Sequence, residues 1–311
     1  MNSKPFFSIV IPTYNRAALI SKTISSLLQQ SYSSFEIIII DDGSKDNTAA
    51  VVQSVPDDRI VYRKVVNGER GRARNIGTLQ AKGDYITFID SDDLAYPNHL
   101  AEAVRMVEQY NGPEMFHLAY EMKDAVGQLL FRYNNRKRDL RHALLKGNLL
   151  SCIGVFLRQD IARQYLFEED RNLAGTEDWH LWLRLAARFP LYYSNTVTAC
   201  MINHESRSVL HFNKSQMLDR TNLLTQYLDR DDEFKNAFGK EALKKIEAHM
   251  YTYMALHSVL ARNNTDGLQF LLKGVSKNAL ELFQRRTLAI FKCMFKNLLP
   301  ASGIIKNNEK L

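Results

Sequence analysis

Tyr85-Ile86-Thr87-Phe88-Ile89-Asp90-Ser91-Asp92-Asp93 is the stretch on which the fold turns. Its first five residues are apolar or β-branched and too few for a helix, so they read as a buried strand. The strand then delivers three carboxylates within four positions. Such a cluster is costly unless something positive compensates it. An all-oxygen donor set suits a hard divalent cation, Mg²⁺ or Mn²⁺, completed by further oxygen ligands. A surface turn capped by acids is the plainer reading, because Asp and Ser are common turn formers.

Upstream, the same pattern occurs twice more. Phe6 to Ile11 is an apolar run stopped by Pro12 and followed by Thr13-Tyr14-Asn15-Arg16. Phe35 to Ile40 is another, ending in Asp41-Asp42-Gly43-Ser44. Between them, Ala17 to Gln30 carries Leu19, Ile20, Ile24, Leu27 and Leu28 at helical spacing. A helix over 46–54, a strand over 60–65 and a helix over 72–81 complete the alternation. This order predicts an α/β fold with a mostly parallel, Rossmann-like sheet and flanking helices. In such sheets ligands bind beyond the carboxyl ends of the strands, so the three polar loops can meet on one ligand.

Composition sets the limits. The chain has 311 residues, 45% of them hydrophobic and 24% charged, enough for a sizeable core. Cys152, Cys200 and Cys293 are far apart without metal-type pairing and read as free thiols in a reducing compartment. The short apolar run before Pro12 is too little for a secretory signal, and no stretch approaches the roughly 18 apolar residues of a membrane span. A cytoplasmic protein is expected, or one peripheral on the cytoplasmic face of the membrane. The net charge of +7 lies almost wholly between Gly267 and Leu311, where eight basic residues face two acids. The remainder is near neutral, which argues against a nucleic-acid groove in the main domain.

Taken together, Pro12-Thr13-Tyr14-Asn15-Arg16, Asp41-Asp42-Gly43-Ser44, Ala73-Arg74-Asn75, Asp90-Ser91-Asp92-Asp93 and Glu177-Asp178-Trp179-His180-Leu181-Trp182-Leu183-Arg184 resemble family 2 glycosyltransferases of the GT-A fold. The five motifs stand in the family's order and spacing over residues 6 to about 207. Asp-x-Asp after an apolar strand also occurs in phosphohydrolases of the haloacid-dehalogenase type. Those usually continue with x-Thr or x-Val, where this chain has Asp93-Leu94. The resemblance implies metal-dependent, hexosyltransferase-like transfer of a sugar from a nucleotide-diphosphate donor to an acceptor hydroxyl, with inversion. Surface polysaccharide or glycolipid assembly is the implied setting. A scaffold or binding protein that keeps the fold without turnover is the alternative.

The resemblance also assigns roles, and the residue chemistry suits them. Thr13 and Tyr14 offer a hydroxyl and a stacking face to a uracil or thymine, and Asp41 offers an acceptor for its N–H. Pro12, Asn15, Arg16, Asp42 and Ser91 complete the nucleotide site. Tyr14 also fits as a core aromatic. Arg74, opening a helix after the basic stretch Gly68 to Arg72, suits base or phosphate; for Arg70 and Arg72 a solvated basic face is an equal reading. Asp90 falls to the ribose or the metal, Asp92 to the metal directly, and Asp93 to the metal or to a helix N-cap near Pro97. Glu177 and Asp178 open an amphipathic helix, where acids also favour the helix dipole. Inverting transfer needs a base for a hydroxyl whose pKa is far above 7, and Asp178 is the first choice. His204 opens a loop, Asn203 to Ser208, that is expected to close over diphosphate or metal.

Residues 1–207 are expected to form the catalytic domain and 208–311 a C-terminal helical region. Helices are expected over 218–228, 242–260 and 268–299, with Asn263 to Gly267 as a turn. The acceptor, a glycan or lipid-linked sugar, is expected to meet residues 102–151 and the tail. Leu280, Phe283, Ile290, Phe291, Met294, Phe295 and Leu298 recur at helical spacing among Lys277, Arg285, Arg286, Lys292 and Lys296. That stretch suits an anionic membrane surface, or a helix packed on the catalytic domain with its basic side exposed.

Overall fold

The computed structural model describes residues 4–133, 139–204 and 213–299. Strands β1 (Phe7–Thr13), β2 (Phe35–Asp41), β3 (Ile60–Lys64) and β4 (Tyr85–Phe88) alternate with helices α1 (Ile20–Leu28), α2 (Thr48–Gln53) and α3 (Glu69–Gln80). Then follow β5 (Leu94–Ala95), α4 (His99–Gln109), β6 (Met115–Asp124), β7 (Leu129–Arg132), α5 (Leu140–Ala143), β8 (Val155–Arg158), α6 (Gln159–Gln164), α7 (Glu177–Arg188) and β9 (Tyr192–Asn203). The chain continues through α8 (Lys214–Asp229), α9 (Asp232–Phe238), α10 (Glu241–Leu260), α11 (Asn264–Lys277) and α12 (Arg285–Leu298).

The strands form one sheet in the order β3-β2-β1-β4-β8-β6-β9-β5, with β7 on β6. The expected parallel ladder covers β3 to β4. Beyond it the sheet is mixed: β8 is antiparallel to both β4 and β6, and β9 runs parallel to β6. Strands β1, β2 and β4 are buried on both faces, which is why they read as continuous apolar runs, whereas the edge strand β3 is largely exposed. Ile9, Ile11, Ile37 and Ile39 meet Ile20, Ile24 and Leu27 of α1 on one side. Val10, Ile38, Ile40 and Phe88 share the other with Ala73, Trp179, Trp182 and the apolar faces of α8 and α10.

Three expected boundaries move. Helix α3 starts at Glu69, so Arg74 lies inside the helix and not at its head. The expected turn at Asn263 to Gly267 is a helix start: the Asn263 side chain accepts from the Asp266 N–H, and α11 begins at Asn264. The expected helix over 268–299 is broken at Asn278, whose extended backbone and side-chain cap on Leu280 begin a 3-10 turn over Ala279–Phe283. Periodicity runs through the break because both segments pack on α10, so spacing alone could not reveal it.

Gly77 is where α3 presses on β1. A Cβ there would stand 2.4 Å from Val10 Cγ1. Alanine is the better helix former, but the strand side chain is fully buried and cannot step aside. Gly77→Ala is expected to lower stability by about 1–2 kcal/mol, overpacking exceeding the gain in helix propensity. Urea denaturation followed by circular dichroism measures it, and a stabilised variant would refute the contact.

Candidate active site

The register of the parallel ladder brings the polar loops together. Thr13 is paired with Asp41 across β1 and β2, and the Ile89 N–H extends the β1–β4 ladder onto Val10 with a 3.0 Å bond. The turn Asp90 to Asp93 therefore leaves the sheet next to Thr13 and Tyr14. Tyr14 is 43% exposed, which disposes of the core-aromatic reading and leaves its ring free to stack. Thr13 is buried, and its Oγ1 finds no partner among the described residues. A buried hydroxyl without a partner is costly, and here it faces the loops where a ligand is expected.

Asp41 is fully buried, with Oδ1 accepting from the Ser44 N–H at 2.7 Å and Oδ2 from the Tyr62 hydroxyl at 2.6 Å. Each oxygen keeps a second lone pair. Asp42 turns away to hold the loop before α3, accepting from the Gly68 and Glu69 N–H groups and from Asn67 Nδ2. Burial raises its pKa, and those donors pull the other way. Asn15 takes a left-handed φ of 51° and ties its loop to Ser44 and Lys45. Arg16 extends to Asp92, Nε to Oδ2 at 3.6 Å.

The acidic turn divides its labour. Ligand atoms of Asp90, Asp92 and Asp93 all lie within 4.8 Å of one another, an all-oxygen set that fits Mg²⁺ or Mn²⁺. Asp93 is buried and accepts from the Ile202 N–H at 3.2 Å, so the N-cap reading fails. Helix α4 begins only at His99, with Asn98 at the N-cap position. That tie fixes the end of β9 beside the turn and sets His204 Nε2 3.0 Å from Asp92 Oδ2. The rest of the expected closing loop, Glu205 to Ser208, lies outside the described residues.

Arg74 departs most from expectation. Its guanidinium is buried and already committed, NH2 to Asp90 at 2.8 Å and NH1 to Glu177 at 3.0 Å. It serves as a strut between two carboxylates and presents no open face to base or phosphate. Burial opposes its charge, yet the surrounding carboxylates outweigh burial and hold its pKa well above the ordinary value. Glu177 is equally buried, and its second oxygen accepts from the Gly175 N–H. Asp178 differs. Its carboxylate sits in a recess that opens partly to solvent, held by Asn148 Nδ2 at 2.9 Å and the Trp179 N–H at 2.7 Å. Burial first, then the negative charge of Glu177, push its pKa up to about 7.

A family model for glycosyl transferase family 2 matches residues 8–157. The Escherichia coli protein UDP-Glc:alpha-D-GlcNAc-diphosphoundecaprenol beta-1,3-glucosyltransferase WfgD is 30% identical over 215 residues, covering 68% of this chain and 82% of WfgD. The chain belongs to glycosyltransferase family 2. Its fold is GT-A: S. aureus TarS 1-349, solved in complex with UDP-GlcNAc, matches with a TM-score of 0.69 at 17% identity, covering 94% of this chain and 89% of that one. Mannosyltransferase PcManGT from Pyrobaculum calidifontis, solved in complex with GDP-Man and Mn²⁺, matches with a TM-score of 0.56 at 16% identity, covering 96% and 88%. The chain spans 43%, 29% and 42% of three longer Rickettsia glycosyltransferases. Membership of family 2 removes the phosphohydrolase reading.

Two residues of this glycosyltransferase site had no signal in the sequence. Asn148 lies 30 positions before the aspartate it holds, in a stretch without periodicity or motif. His249, on α10, packs its ring 5.4 Å from that of Trp179, and a Cβ on Gly147 would stand 2.5 Å from its Cε1. It thus wedges between the neighbours of Asn148 and Asp178. Burial, with Arg286 beside it, keeps this imidazole neutral.

Removing the strut leaves Glu177 buried without its principal cation. Arg74→Met is expected to cost about 3–5 kcal/mol of unfolding free energy, the usual loss when one partner of a buried pair is deleted. A urea midpoint close to that of the unaltered protein would show that the bridge contributes little.

Proposed function

We propose that this family 2 enzyme is an inverting transferase that moves a sugar from a UDP- or dTDP-linked donor to a hydroxyl of a lipid-linked glycan. We further propose that residues 1–207 carry donor binding and catalysis, with 208–311 as a helical appendage that shapes the acceptor side. The observation that carries the mechanism is the Asp178 carboxyl. It is partly open, oriented at both oxygens, and has its pKa pushed up to about 7. A group poised at that value can take a proton near neutral pH and return it to solvent.

Asp178 accepts the acceptor's hydroxyl proton while the oxygen forms its bond to the anomeric carbon. The bond from that carbon to the diphosphate breaks on the opposite face, and a single displacement inverts the configuration. Asn148 and the Trp179 N–H keep the carboxylate aimed. Glu177 is held against Arg74 and acts through Asp178 by repulsion. Asp92 and Asp90, with His204 alongside, would hold a Mn²⁺ or Mg²⁺ ion, which would supply positive charge to offset that of the diphosphate. Thr13 Oγ1, Asp41 and the Tyr14 ring are the base-reading groups; Asp41 as an acceptor for N3–H favours uracil or thymine over cytosine. The donor and acceptor classes draw support from the names of the relatives: WfgD takes UDP-Glc and a diphosphoundecaprenol-linked sugar, and TarS was solved with UDP-GlcNAc.

Two experiments test this reading. Asp178→Asn should lower turnover by about two to four orders of magnitude with UDP binding intact. In the unaltered enzyme, kcat/KM should rise about tenfold per pH unit below 7 and level off above, as the base loses its proton. Near-normal turnover in the Asn variant, or a product of retained configuration, would sink the mechanism. Separately, calorimetry should show UDP binding strengthened by Mn²⁺, with that increment lost in Asp92→Asn and CDP binding weaker throughout. Equal affinity for CDP and UDP would refute the base pocket. A protein that binds donor yet hydrolyses none over long incubation would point to the non-catalytic alternative.

A further inference from the structure

Helix α12 is amphipathic in the wrong direction for a helix that only completes a core. Its inner face buries just Thr287 and Ile290. Outward it presents Leu288, Phe291, Phe295, Leu298 and Leu299, between 49% and 76% exposed. Those positions fall on one stripe of a 3.6-residue helix. Arg285, Lys292 and Lys296, all exposed, follow one edge of that stripe as a cationic ridge. The 3-10 turn before it adds Leu280, Leu282 and Phe283, the last 82% exposed. A contiguous apolar face of this size on a soluble surface marks an interaction site.

We infer that the outer face of α12, with the preceding turn, docks on an anionic lipid surface. Charge complementarity chooses the occupant. Two phenylalanines flanked by a line of cations match an interface where acyl chains lie beneath negative headgroups. No helix among the described residues is long and apolar enough to cross a membrane, so the contact is peripheral. The helix is not a loose appendage. Asn297 donates to the Val259 carbonyl and Asn264 to the Met294 carbonyl, which pins α12 across α10 and α11. At its first turn, Arg286 bonds His249 Nδ1 at 3.0 Å, and His249 packs on Trp179, next to Asp178. A docked α12 therefore sets the reacting carboxyl at a fixed distance from the lipid surface. The inference stands on α12 itself and does not rest on the acceptor proposed above.

Co-sedimentation of the full chain with vesicles of phosphatidylcholine alone, or mixed with phosphatidylglycerol, tests it. Binding to the mixed vesicles is expected, falling as salt is raised. Phe291→Ser combined with Phe295→Ser should reduce partitioning by about tenfold or more. Lys292→Glu with Lys296→Glu should abolish the preference for phosphatidylglycerol, and donor hydrolysis should persist in both variants. No binding by the unaltered protein, equal binding to both vesicle types, or undiminished binding by the serine variant would each overturn the inference. So would a dimer in light scattering that the serine variant converts to a monomer, because a second copy would then cover the face.

Discussion

A single buried guanidinium joins the two halves of the site. Arg74 binds Asp90 at the end of β4 with one nitrogen and Glu177 at the start of α7 with another. Asp90 belongs to the loop proposed to meet the donor, and Glu177 is the neighbour of the proposed base. Removing three charges from water is expensive and is tolerated only when hydrogen bonds and opposite charges are well aligned. The alignment depends on α3 lying flat on β1, which is why Gly77 must be small. Geometry in displacement reactions is demanding, since a misplacement of about 1 Å can cost two orders of magnitude in rate. A rigid ionic strut is one way to hold two loops 87 residues apart in sequence to that tolerance.

The mixed half of the sheet does the complementary work. With β8 inserted antiparallel between β4 and β6, both β6 and β9 run in the direction of β4, and β9 delivers its end to the acidic turn. The pairing of β5 with β9 and the Asp93 bond to Ile202 lock that arrival. His204 then stands beside Asp92 as a consequence of sheet topology and needs no contact of its own to α3 or α7.

What the sequence disclosed follows the same division. The parallel strands were legible because burial on both faces leaves uninterrupted apolar runs, and their ends were legible because polar residues stop those runs abruptly. The acidic turn follows from local pattern, whereas the pair Glu177-Asp178 drew its role from the family resemblance and Tyr14 stayed open between core and ligand until its exposure was seen. The role of Arg74 was not legible. Its partners lie 16 and 103 residues away, and the start of α3 at Glu69 requires a positive φ that no propensity favours. Asn148 and His249 were hidden for the same reason, each acting on Asp178 or its neighbour across long sequence distance. The break at Asn278 escaped because both helices on either side face α10 with the same period.

Adjacent residues at a helix start point about 100° apart, and that angle separates the fates of Glu177 and Asp178. Glu177 turns inward to Arg74 and the Gly175 N–H. Asp178 turns to Asn148, a neutral donor, and has no ion pair among the described residues. The negative charge of Glu177 acts on Asp178 directly, and Arg74 offsets part of it. Burial first, and then that charge, raise its pKa, while the Asn148 and Trp179 N–H donors pull the other way without bringing a positive charge. The choice of a neutral amide at position 148 is thus what leaves the carboxyl able to exchange a proton near neutral pH, while the buried bridge beside it keeps the geometry that makes the exchange useful.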